Sequence, residues 1–152
     1  MDENPVSNGA AGPPGPRAPL ELRRSTRALL DQAGAEFLAD IFRRETRRNP
    51  TNVAALAELG MVYTSLGNLP EGLKADQALV ALLPDDPTVN YNLACSYALL
   101  GQPEDALDSL EAALDFGYDD GVHMVQDEDL KSLHAHPRFQ SLLRALSVPE
   151  DE

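Results

Sequence analysis

Apolar and small positions along this chain recur at a fixed interval. Leu59, Gly60, Tyr63 and Gly67 return 34 residues later as Leu93, Ala94, Tyr97 and Gly101, and Pro50 stands the same distance before Pro84. A period of this length predicts stacked helical hairpins, each burying its apolar stripe against its neighbours. No stretch alternates apolar and polar residues over a strand length, and β-branched residues are sparse, so no sheet is expected. The predicted fold class is all-α.

Residues 56–86 and 90–120 resemble tetratricopeptide repeats, whose motif sets a Leu, a small residue and a Tyr along one helix. A turn Gly follows, then a second helix with an early small residue. Leu59, Gly60, Tyr63, Gly67 and Gly72 fill these places in the first copy, and Leu93, Ala94, Tyr97, Gly101 and Ala106 in the second, with Ala113 further along. The small residues let two helices approach closely, while the turn Gly reverses the chain. The resemblance implies a right-handed α–α superhelix of helical hairpins with a concave groove. Three positions depart from the pattern. Asp76 stands where Phe42 and Leu110 mark a large apolar position, and is expected either to be exposed by a helix shift or to face the preceding segment. Gly72 replaces Ala, at a cost of about 1 kcal/mol to its helix. Gly117-Tyr118 ends the second copy where a Pro is usual.

Carrying the register outward divides the chain. Residues 1–18, rich in Pro, Gly and Ala, are expected to form a disordered tail, because they cannot bury enough surface to offset ordering. Their acidic residues and missing apolar core do not read as a secretory signal. Residues 19–147 form the domain: a degenerate repeat over 19–52, repeats over 53–86 and 87–120, and a capping segment over 121–147. The degenerate repeat is expected to pair a helix near Leu20–Gln32 with a second helix burying Leu38 and Phe42. The capping segment resembles the closing element after tetratricopeptide repeats in many bacterial proteins: a short helix, a D-x-D-L-x-x-L turn (Asp127, Asp129, Leu130, Leu133), and a last helix opened by Pro137, Arg138 and Phe139. Residues 148–152 are an acidic tail.

Charge separates along the chain. Residues 1–52 hold eight Arg against seven acids, and residues 53–152 hold four basic residues against eighteen acids. So acidic a body argues against nucleic acid and anionic membranes, whose phosphates need a basic footprint. No run of apolar residues is long enough to span a bilayer. The Arg43–Arg48 run reads first as helix-end cations complementing the dipole. A contact between that run and the acidic repeats of another copy would also use the asymmetry, so a homo-oligomer stays open. One cysteine, Cys95, excludes an internal disulfide, and a cytoplasmic location is expected.

Chemistry finds no constellation. His134 and His136 lie two apart, off a common helical face, without a third ligand. Asp127-Glu128-Asp129 lacks the Gly and closing Glu of a calcium loop. No G-K-[ST] follows Gly67 or Gly101. No catalytic residue, metal site or cofactor is expected, and the chain reads as a non-enzyme.

The resemblance places function in the groove, lined by first-helix residues not used in the hairpin cores. These are Ala57, Glu58, Met61, Thr64 and Ser65 in the first copy, and Tyr91, Asn92, Cys95, Ala98 and Leu99 in the second. Asn92 matches a place where such repeats carry an Asn that grips a peptide backbone, donating and accepting at once. Ala57 and Met61 stand where co-chaperone versions carry Lys and Asn to clamp carboxylates, which points to a neutral or basic segment. The expected function is non-catalytic binding of a partner's peptide or helix, as an adaptor or assembly factor in a bacterial cytoplasm. The alternatives are a nucleic-acid-linked regulator acting through the Arg-rich helix, or a non-catalytic subunit of an enzyme complex.

Overall fold

The computed structural model describes the backbone of residues 24–147 and the side chains of 31–146. The expected tails over 1–18 and 148–152 lie outside the described residues. Among the described residues seven α-helices follow one another: α1 Arg24–Arg48, α2 Val53–Ser65, α3 Leu69–Leu82, α4 Pro87–Leu99, α5 Pro103–Asp115, α6 Gly121–Gln126 and α7 Pro137–Ser147, with a 3-10 helix at Glu128–Leu133 between the last two. The described residues contain no strand. The fold is all-α, a tetratricopeptide-like helical repeat.

Helix starts are written locally. Asn52 and Asp86 accept the backbone N–H groups of Ala55 and Val89 at 3.0 and 2.9 Å, capping α2 and α4. Pro87, Pro103 and Pro137 each occupy a first helical position, where the missing N–H costs nothing. At the hairpin turns Gly67 and Gly101 take φ of 73° and 72°. Behind each, the next N–H reaches back to close the helix, Asn68 to the Tyr63 carbonyl at 2.8 Å and Gln102 to that of Tyr97 at 2.9 Å. Gly117 performs the same reversal, with Tyr118 bonding back to Ala113, where the motif would have Pro.

The N-terminal unit departs from expectation. Residues 24–48 form one continuous helix, not two. No Pro or left-handed residue interrupts it, and Gly34 sits within the helix with open space around it. Leu38, expected inside, is 43% exposed, whereas Ala39 is buried and Phe42 half-buried. Ala35, Ala39 and Phe42, at helical spacing, form the stripe that packs on Leu59, Val62, Tyr63 and Leu66. Leu38 lies one residue, about 100° around the helix, away from Ala39.

The larger core lies at the other end. Tyr91, Ala94, Cys95 and Ala98 of α4 meet Ala106, Leu107, Leu110 and Ala113 of α5, and Met124, Leu130, Leu133 and Phe139 complete the cluster. The closing segment thus packs its apolar residues directly onto the last hairpin. α4 is enclosed nearly all round, by α3, α5 and the 3-10 helix.

Candidate functional site

A cavity of about 700 Å³ opens between α2 and α4. α2 contributes Ala57, Gly60, Met61, Thr64 and Ser65 to one wall, and α4 contributes Thr88, Tyr91, Asn92, Cys95, Ser96 and Leu99 to the other. Asp76 and Leu79 of α3 complete the lining beside them, with Tyr118 and Asp120 of the turn after α5 and His123, Asp127 and Asp129 of the closing segment.

Of the residues expected here, Ala57, Met61, Thr64, Tyr91, Asn92 and Cys95 line the cavity, as do Ser65 and Leu99. Met61 is 62% exposed and Asn92 is exposed, while Tyr91 and Cys95 show only an edge. Glu58 is exposed on α2 but outside the lining. Ala98, expected in the groove, is only 4% exposed and belongs to the core. Together with Ala94 of α4 and Ala106, Leu107 and Leu110 of α5 it is part of the cluster around the second hairpin, the element pair that packs most extensively.

The acids were missed as site residues, although Asp76 already stood out as a polar residue at an apolar position. Asp76 is neither exposed nor turned toward the preceding unit. It is 8% exposed and accepts a hydrogen bond at Oδ2 from the Ser96 hydroxyl of α4. Gly60 makes room for it: a methyl group there would stand 3.1 Å from Asp76 Oδ1. Burial raises the Asp76 pKa, and the Ser96 hydrogen bond opposes that rise.

Asp127 organises the far wall. Its Oδ1 accepts the Asp129 N–H at 3.0 Å, capping the 3-10 helix. Its Oδ2 accepts the Tyr91 hydroxyl at 2.8 Å and the Cys95 thiol at 3.7 Å. His123 Nε2 stands 3.6 Å from the same oxygen. The Tyr91 ring stacks on that of Tyr118, centroids 4.4 Å apart. Burial, then the charges of Asp127 and Asp129, push the Cys95 thiol up, so it stays protonated and unreactive at neutral pH. Donor atoms of Cys95, Asp127 and Asp129 lie within 4.8 Å of one another. Their hydrogen bonding and capping account for that proximity. Burial, then the Asp127 charge, raises the Asp129 pKa.

Arg138 sits elsewhere, bridging α7 to α5 through Glu104, Asp108 and Glu111, each at 2.8 Å. In the Arg43–Arg48 run, Arg43 and Arg44 both pair with Asp40 at 2.7 Å. No helix among the described residues is long and apolar enough to cross a membrane.

Three comparisons bear on this geometry. A family profile described as virulence factor membrane-bound polymerase, C-terminal, matches residues 28–121. A chloroplastic protein of Arabidopsis thaliana is 31% identical over 88 residues, which are 56% of this chain and 26% of that protein. The chain therefore spans about a quarter of that relative's length. The crystal structure of MamA, a tetratricopeptide-like helical protein, superposes with a TM-score of 0.53 at 20% identity, covering 81% of this chain and 76% of that one.

Proposed function

The chain belongs to the family described as virulence factor membrane-bound polymerase, C-terminal, and from that premise we propose that it is a non-catalytic module binding a protein partner in the groove between α2 and α4. The observation that carries this reading is the cavity itself. Its size falls in the range of sites that hold ligands, and its walls mix exposed Met61 and half-buried Leu99 with Asn92, whose amide can both donate and accept. Such a surface can take an extended or helical segment, with apolar anchors for affinity and an amide for the backbone.

The family description supports a second reading within the same class. The module would serve as a non-catalytic part of an enzyme assembly, holding a component of a membrane-bound polymerase or a regulator of it. Both readings place the contact in the groove and differ only in who binds. The acidic body and the engagement of Arg43 and Arg44 by Asp40 weigh against nucleic acid as the partner.

Photo-crosslinking in the native cell tests this. A benzophenone side chain at Met61 is expected to capture a discrete protein partner, and one at exposed Asp115 of α5, outside the cavity, is not. Capture from position 115 with none from 61 would remove the groove as the site.

A further inference from the structure

We propose that the inner end of the groove, at Asp76 and Ser96, is a subsite for one cationic side chain, Arg or Lys, of the segment bound there. This rests on the groove reading above and adds what the bound segment must carry. Among the described residues, four carboxylates line the cavity, those of Asp76, Asp120, Asp127 and Asp129, and no Lys or Arg does. Two of the four have structural work. Asp120 accepts the His123 N–H at 2.8 Å and caps α6, and Asp127 caps the 3-10 helix while holding Tyr91 and Cys95.

Asp76 has none of that work. It stands in the middle of α3, where there is no helix end to cap, at a position filled by Phe42 and Leu110 in the neighbouring units. Its single hydrogen bond comes from Ser96 to Oδ2, and no described residue donates to Oδ1. The basic residues in ion pairs are committed elsewhere: Arg43 and Arg44 to Asp40, Lys74 to Glu71, Lys131 to Glu128 and Arg138 to the α5 acids. A carboxyl buried without a cation is costly, and its raised pKa reports that cost.

A ligand cation relieves it. The apolar stem of Lys or Arg can lie along Met61, Leu79 and Leu99, which line the same cavity, and deliver its charge to Oδ1. A neutral side chain would leave the carboxyl uncompensated, and an acidic one would be repelled by four like charges. The occupant is therefore a basic segment of a separate protein.

The probe is a capped peptide of alternating Ala and Leu with one central Arg, compared with its Lys and citrulline counterparts, against the full-length chain. Amide shifts of α4 follow the binding. The Arg and Lys peptides are expected to shift Cys95 and Ser96 saturably, and citrulline to bind at least about tenfold more weakly. Asp76→Asn, nearly isosteric, should erase the difference between Arg and citrulline while circular dichroism stays unchanged. Met61→Ala should weaken all three peptides alike, which reports on the groove alone. Equal binding of Arg and citrulline peptides overturns the cationic subsite and leaves the groove standing. Binding of no peptide at millimolar concentration overturns the subsite too, and the groove is then judged by the Met61 crosslink. Concentration-dependent self-association abolished by both Asp76→Asn and Arg47→Ala would replace the separate partner with a second copy of this chain, also overturning the proposal.

Discussion

At the scale of single residues, Asp76 carries a cost to stability, a carboxyl group buried at 8% exposure. The site it occupies is apolar in its neighbours, and a Leu there would bury more surface without burying charge. Its pKa is raised by burial, so the sign of its pH effect follows directly. Below the ordinary Asp value of 3.8 the group is neutral in folded and unfolded chains alike. As pH rises from there through the raised folded value, the unfolded chain ionises first and stability falls, and above that value the whole penalty persists. Asp76→Asn should therefore match or exceed the wild type in urea midpoint at neutral pH, with the advantage shrinking as pH drops toward 3.8. Urea melts across that range decide it. A variant less stable by the same amount at every pH would show that the carboxylate is compensated within the fold.

Elements are delimited by a few residues whose backbone needs are visible in the chain. Gly67, at φ 73°, ends the first clear hairpin, and Ala there meets the left-handed penalty of about 1–2 kcal/mol. Gly34 is the opposite case, a glycine inside α1 with no atom near its missing side chain. Gly34→Ala should stabilise by about 1 kcal/mol, by restricting the unfolded chain and raising helix propensity. Thermal melts of the two variants should move in opposite directions, and a shared direction would contradict the placement of one of them. Between elements, Arg138 ties α7 to α5 through three carboxylates at the surface. Arg138→Ala should lower the melting temperature at low salt, with the deficit closing as salt screens the wild-type contacts. A deficit independent of salt would assign the loss to packing of the side-chain stem.

On the scale of the whole molecule, the closing segment does two things at once. Met124, Leu130, Leu133 and Phe139 cover the apolar face of α5 and α4, and His123, Asp127 and Asp129 line one end of the cavity. Deleting residues 121–152 should expose that face and yield an aggregating or non-cooperatively melting chain, read by light scattering and calorimetry. A soluble truncation with an unchanged cooperative melt would show that the last hairpin is stable uncovered. At the other end, Phe37, Leu38 and Ile41 of α1 remain exposed.

The amino-acid sequence by itself determined the all-α repeat, because the 34-residue spacing of Leu59 and Leu93, of Tyr63 and Tyr97, and of Gly67 and Gly101 is a covalent property of the chain. It also placed Met61 and Cys95, 34 residues apart, together on the cavity wall, since equivalent positions of stacked helices face the same way, although Glu58, the equivalent of Asn92, stays outside that wall. What needed the tertiary structure was everything set by contact between distant segments. Helix periodicity cannot say which of two adjacent apolar residues faces a neighbour, so Leu38 pointed outward and Ala39 inward only once α1 had packed on α2. Nor does local pattern tell that Ala98 joins the core with α5, or that Asp120, His123, Asp127 and Asp129 reach the cavity wall. The burial of Asp76 was likewise decided by packing, because it depends on Ser96 lying opposite and on the space left by Gly60, two partners on two other helices.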